Sequence, residues 1–180
     1  MEFSTKADKL QPSEAGALLY VCTDACPCSS QNDDEIARAL CEQLAEDEAF
    51  AALKTLQNGS LRALAVVRLK DTTRSSIEKA ATEAAIWAQK QERLSVCLAA
   101  LCETDAPRVA EIFALAFGNA VYRFDRFKKE AKPATLQHTA FYHPQHAAQV
   151  EQAVQAAEAT LYGMQLCKDL GNTAPNFCTP

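Results

Sequence analysis

The sequence predicts an α/β domain of the three-layer α/β/α kind, with a mostly parallel or mixed sheet. Three observations carry this. Short continuous apolar runs recur at residues 17–22, 61–69 and 94–101, as strands buried on both faces require. Segments with helical apolar spacing alternate with these runs, a rhythm that sets helices on both faces of a sheet. Alanine supplies much of the 48% hydrophobic content, which favours helix.

The elements follow in order. Ala17-Leu18-Leu19-Tyr20-Val21-Cys22 is the first strand. Asn32, Asp33, Asp34 and Glu35 offer a cap and an acidic first turn, and Ile36, Leu40 and Leu44 follow at four-residue spacing, so a helix is expected over 33–48. No element is assigned to 49–57. Asn58-Gly59-Ser60 is a turn leading into the strand Leu61–Leu69. Ser75-x-x-Glu78 reads as a capping box for a helix over about 75–92. The strand Leu94–Leu101 precedes a helix capped by Thr104 or Asp105, with Pro107 in its first turn and Val109, Ile112, Phe113, Ala116 and Ala120 on its inner face. A weaker strand is expected from Ala134 to Tyr142. The last helix begins near Pro144 and runs to about Leu170; Ala147, Val150, Val154, Ala157, Leu161 and Met164 form a narrow apolar seam, and Gly163 is a tolerated weak point. Such a length suits a connector between domains. There is no internal repeat.

Charge and composition narrow the function. A formal net charge of -5 argues against a general nucleic-acid binder, because phosphate contacts need a basic face. Arg123, Arg126, Lys128, Lys129 and Lys132 form one basic cluster, read as a solvated helix end. The first nine residues are polar and charged and lack the apolar core of a signal peptide, and no stretch matches a membrane span, so a cytoplasmic protein is expected. The eight cysteines are read as free thiols, several of them buried, rather than as a disulfide framework. The cluster Cys22, Cys26 and Cys28 lacks the spacing of a zinc knuckle or ribbon.

Little in the chain looks like catalytic chemistry. Gly16, Gly59, Gly118, Gly163 and Gly171 are too scattered for a phosphate-cradling loop, and Lys70-Asp71-Thr72-Thr73-Arg74 occupies the place where such a loop would stand. His138, His143 and His146 have no carboxylate or cysteine at a convincing metal-site spacing and read as surface histidines. No nucleophile elbow or zinc helix occurs. Asp33, Asp34, Glu46 and Glu48 lie at helix ends, where carboxylates favour the helix dipole. Trp87, Tyr122, Phe124 and Phe127 read as packing residues. No catalytic, cofactor-binding or metal-ligating residue is assigned.

Two segments carry more information. Lys168-Asp169-Leu170-Gly171-Asn172-Thr173-Ala174-Pro175-Asn176-Phe177-Cys178-Thr179-Pro180 reads as a helix end at Gly171, a turn, and then the start of a further domain. Tyr122-Arg123-Phe124-Asp125-Arg126-Phe127-Lys128 stands ahead of the long helix. Together they resemble the leucine aminopeptidase (cytosol aminopeptidase) family of metallopeptidases. In that family a similar "Tyr-x-Phe-Asp-x-x-Lys" run lies near the end of the first domain. A run similar to "Lys/Arg-Asp-Leu-x-Asn-Thr-x-x-Asn-x-x-Thr-Pro" leads into the catalytic domain. The matching positions are Tyr122, Phe124, Asp125, Lys128, Lys168, Asp169, Leu170, Asn172, Thr173, Asn176, Thr179 and Pro180. Two departures touch loop geometry: the strand Leu61–Leu69 ends in Arg-Leu-Lys where a glycine turn is common, and Ala174 takes a place often held by proline.

The resemblance implies a macro-domain-like amino-terminal domain over 1–143, a connecting helix over 144–171, and the start of a catalytic domain over 172–180. It implies a parent peptidase that removes amino-terminal residues from peptides. That parent is expected to be a homohexamer with two divalent ions, zinc or manganese, held by residues beyond Pro180. On this reading the chain itself is non-catalytic and serves assembly and access to the active site. The competing readings are a stand-alone binding module for nucleotides or ADP-ribose, and a DNA- or protein-interaction domain.

Overall fold

A computed structural model describes residues 1–6, 16–23, 35–44, 48–57, 60–127, 130 and 134–173. One six-stranded sheet organises it. In chain order the strands are β1 (Glu2–Lys6), β2 (Ala17–Thr23), β3 (Phe50–Gln57), β4 (Ser60–Leu69), β5 (Arg93–Cys97) and β6 (His138–Tyr142). The helices are α1 (Glu35–Gln43), α2 (Arg74–Ala88), α3 (Asp105–Val121) and α4 (Ala147–Asn172). Across the sheet the order is β1-β6-β5-β2-β4-β3, and all neighbours are parallel except the pair β3 and β4.

The most apolar runs hold the centre. β2 lies between β4 and β5, with Leu19 opposite Ala65 on one side and Val96 on the other, and its first six residues are buried. Alternate side chains leave opposite faces of a strand. Leu19, Val21, Ala65, Val67 and Phe141 therefore pack under α2, α3 and α4, in a core with Ile77, Ala84, Val109, Phe113, Phe117 and Val150. Leu18, Tyr20, Cys22, Leu64, Val66, Cys97 and Tyr142 face the other way, onto Ala37 and Cys41 of α1 and Leu44 just past its end. This is the three-layer, mostly parallel architecture that the sequence predicts.

Several elements differ from the sequence reading. β1 and β3 are strands where none was expected, and they form the two edges of the sheet. β5 stops at Cys97: the Leu98 amide still donates to Tyr142 O at 2.9 Å, but the chain then turns, with the Leu101 amide on Leu98 O at 2.9 Å. β6 covers only His138–Tyr142 of the expected 134–142. α2 begins at Arg74 without the Ser75–Glu78 box: Thr73 is the cap, its hydroxyl accepting from Ser76 N while Asp71 accepts from the Thr73 amide at 2.9 Å. Glu78 instead takes Arg74 in an exposed ion pair at 2.7 Å. α4 passes through Gly171, which has no left-handed backbone, and ends one residue later at Asn172. Its last carbonyls are met by side chains, with Asn172 Nδ2 on Lys168 O at 2.8 Å and Thr173 Oγ1 on Asp169 O at 2.6 Å. Asn58 and Gly59 of the expected turn, and residues 33–34 and 45–47 of the expected first helix, lie outside the described residues.

The apolar seam of α4 is spent on its own domain. Val150, Val154, Ala157 and Leu161 are buried, with Leu161 set against Gly118 of α3. A Cβ on Gly118 would stand 2.3 Å from Leu161 Cδ1, so the missing side chain is what admits α4 at this depth.

Candidate functional site

α3 and α4 run in the same direction, since Gly118 meets Leu161 and, further along both, Tyr122 meets Asp169. This brings the two motif segments into contact. Tyr122 caps the end of α3 and its hydroxyl donates to Asp169 Oδ1 at 2.7 Å. Lys168 Nζ donates to Asn119 Oδ1 at 2.8 Å and stands 4.9 Å from the Tyr122 ring centre, a cation–π position. Desolvation, and after it the hydrogen bond to the Asp169 carboxylate, raise the Tyr122 phenol above its ordinary range, so the phenol stays protonated as the donor.

Other motif residues extend the junction outward. Phe124 packs edge-on to Phe127 with ring centres 5.8 Å apart, and Arg126 lies over the Phe127 ring at 5.9 Å. Asn172 and Thr173 close the end of α4, and Leu170 is 54% exposed. Lys128, Asn176, Thr179 and Pro180 lie outside the described residues, as do Lys129 and Lys132 of the basic cluster.

Beside the junction lies a cleft of about 440 Å³, bordered by Phe3, Tyr122, Arg123, Glu158, Tyr162 and Asp169. A second, of about 600 Å³, borders Glu2, Arg93 and His138. Glu2, Arg93 and His138 begin β1, β5 and β6, so the second cleft sits at the amino ends of parallel strands. Ligands of open α/β sheets dock at the carboxyl ends. The segments leaving the carboxyl ends of β1 and β2, residues 7–15 and 24–34, lie outside the described residues.

The histidines separate. His138 shares a 3.3 Å contact with Ser4 Oγ across the β1–β6 pair. His143, expected at the surface, is 2% exposed. Its Nδ1 accepts from the amides of Gln145 at 3.2 Å and His146 at 3.0 Å, which leaves Nε2–H to donate to Leu101 O at 3.1 Å. Burial lowers its pKa, and His146 adds to the effect. It serves as a neutral plug at the start of α4. Trp87 packs on Phe50 at 6.1 Å. Among the described residues, no three His, Cys, Asp or Glu side chains gather as a metal site would require. No described helix is long and apolar enough to cross a membrane.

The geometry defines a class first: a mostly parallel three-layer α/β domain whose long terminal helix is pinned at a polar junction with the preceding helix. No family model matches the sequence. Over all 180 residues the chain is 51% identical to a probable cytosol aminopeptidase of Neisseria meningitidis serogroup A, and it spans 37% of that protein's length. A probable cytosol aminopeptidase of Legionella pneumophila is 26% identical over 148 residues, of which the chain spans 30%. Among solved structures, a mutant of tomato leucine aminopeptidase superposes with a TM-score of 0.67 at 16% identity, over 99% of this chain and 40% of that one. The bottromycin maturation enzyme BotP gives 0.59 at 18% identity, over 92% of this chain and 34% of that one. In sequence and in fold the chain is thus related to the amino-terminal part of the leucine (cytosol) aminopeptidase family, and it spans well under half the length of these relatives.

Proposed function

We propose that this chain is the amino-terminal, non-catalytic domain of a cytoplasmic leucyl aminopeptidase that removes amino-terminal residues from peptides. The observation that carries the reading is 51% identity over the whole chain to a probable cytosol aminopeptidase of which it spans 37%. Domain limits of 1–143 for a macro-like body, 144–171 for the connecting helix and 172–180 for the entry into the catalytic domain belong to the same proposal.

The role assigned to the domain is mechanical. The Tyr122–Asp169 and Lys168–Asn119 bonds hold the end of α4 at a fixed angle to α3, and the rest of the protein follows that end. A fixed exit direction sets how the domain sits over its partner, which is how it governs assembly and access to the active site. The proposed assembly is a homohexamer. Two divalent ions, zinc or manganese, would supply the activated water and the clamp on the substrate amine in the whole enzyme. Their ligands are assigned, on the same reading, to the remainder of the protein.

The test compares the whole protein with the fragment 1–180 in manganese-dependent hydrolysis of leucine p-nitroanilide. The whole protein is expected to turn over and the fragment to show no rate above buffer. Hydrolysis by the pure fragment, or a whole protein inert with both zinc and manganese, would overturn the proposal.

A further inference from the structure

On the face of the sheet opposite α2, α3 and α4, two cysteines 19 residues apart in sequence meet. Cys22 is near the end of β2 and fully buried; Cys41 is on α1 and 7% exposed. Their sulfurs are 3.3 Å apart, and Cys22 Sγ lies 3.5 Å from Val67 O. Neither is in a disulfide, so each carries a reduced sulfur. The spacing suits a weak S–H···S contact in an apolar pocket. It is also close enough that little movement separates it from the ~2.05 Å of a disulfide.

We propose that Cys22 and Cys41 form a reversible disulfide, a redox-sensitive tie between α1 and the sheet. The oxidant is a small-molecule disulfide of the glutathione class. Cys41, the more exposed of the two, attacks one of its sulfurs as thiolate, forming a mixed disulfide and releasing one small thiol. The Cys22 thiolate then attacks Cys41 Sγ and releases the second. Two S–H bonds are lost and one S–S bond forms; the two electrons and two protons leave on the two small thiols.

The position explains why the reaction should be slow but specific. Buried thiols react only when exposed. α1 is nine residues long, and among its described side chains only Ala37 and Cys41 are buried, with Leu44 just beyond its end. Such a helix opens at a lower cost than the whole fold. Opening gives the oxidant access to Cys41, and reclosing returns Cys41 to Cys22. Exposed Cys102 and Cys167 should pick up the small thiol sooner, without a buried neighbour to displace it.

The test treats the purified whole protein with oxidised and reduced glutathione mixtures, quenches with acid, blocks free thiols and maps the peptides by mass spectrometry. Cleavage after Arg38 and before Asp24 puts Cys22, Cys41 and the Cys26/Cys28 pair on three different peptides. The expected product joins the Cys22 and Cys41 peptides, reverts with dithiothreitol, and forms more slowly than adducts at Cys102 and Cys167. Cys22→Ala should leave glutathione held on Cys41. A Cys22–Cys41 link still missing when Cys102 and Cys167 are fully modified would overturn the proposal. So would joining of either residue to Cys26, Cys28 or Cys97 instead.

Discussion

His143 shows how one side chain can be read wrongly from sequence and rightly from its surroundings. Beside Pro144 and within three residues of His146 it looks like a polar residue at a helix start, yet both ring nitrogens are engaged and the ring is buried. Its Nδ1 meets two backbone amides that only a neutral ring can accept from. The folded chain therefore resists protonating it, which places its pKa below the ~6.5 of an exposed imidazole. Above about pH 6.5 the ring is neutral in both folded and unfolded chains, and the full stability is present. As pH falls below that value the unfolded chain takes a proton first, so stability drops until the pH has passed the folded pKa, at no more than about 1.4 kcal/mol per pH unit for one proton. Urea midpoints measured from about pH 7.5 down to 5 should fall accordingly. His143→Asn, which keeps an acceptor near Nδ1 but cannot titrate, should flatten the fall. An equally steep fall in the variant would assign the effect to other groups.

At the scale of elements, legibility followed burial. β2, β4, α2 and α3 announce themselves because a two-sided core demands long apolar runs or a clear helical period. β1 and β3 do not, and both are edges of the sheet. An edge strand pairs on one side only and keeps polar residues. Thus Glu2-Phe3-Ser4-Thr5-Lys6 buries little beyond Phe3, whose ring packs tilted against Phe141 with centres 6.2 Å apart. The junction was half legible: both segments stand out as words, but the Tyr122–Asp169 bond spans 47 residues and exists only because α3 and α4 pack in parallel. Two glycines in these helices make opposite predictions. Gly163 has open space around its missing Cβ, so Gly163→Ala should stabilise by about 1 kcal/mol through helix propensity. Gly118→Ala carries the same propensity gain but drives a methyl into Leu161, an overpacking cost of about 1–3 kcal/mol. It should destabilise in the native background and stabilise in a Leu161→Ala background, where the obstructing methyls are gone. A double-mutant cycle on urea unfolding reads both signs, and additivity of the two changes would show that Gly118 does not control the helix approach.

For the whole molecule the telling surface is the second stripe of α4. Its seam is already buried on α3, yet Tyr162, Leu166 and Leu170, at four-residue spacing, are 75%, 50% and 54% exposed. Asp169 is level with Tyr122, the cap of α3, so Leu170 stands beyond the helix that supports the rest of α4. Exposed large apolar groups aligned on one stripe mark a surface meant to be covered. On the proposed reading the cover is the catalytic domain of the same protein: the related aminopeptidase of Neisseria meningitidis extends well past the 37% that this chain spans, and the remainder would follow within about ten residues of Leu170. A Leu166→Lys, Leu170→Lys double variant separates covered from uncovered. Leucine and lysine have similar helix propensity, so α4 itself should be unaffected. In the whole protein, losing two half-buried leucine contacts should cost about 2–4 kcal/mol at the domain contact. The loss should appear as a lower inactivation temperature for peptide hydrolysis and faster proteolytic cutting over 174–180. If the stripe stays in water, the same substitutions should change stability by no more than about 0.5 kcal/mol. An unchanged inactivation temperature with unchanged cutting would then remove the catalytic domain as the partner of this face.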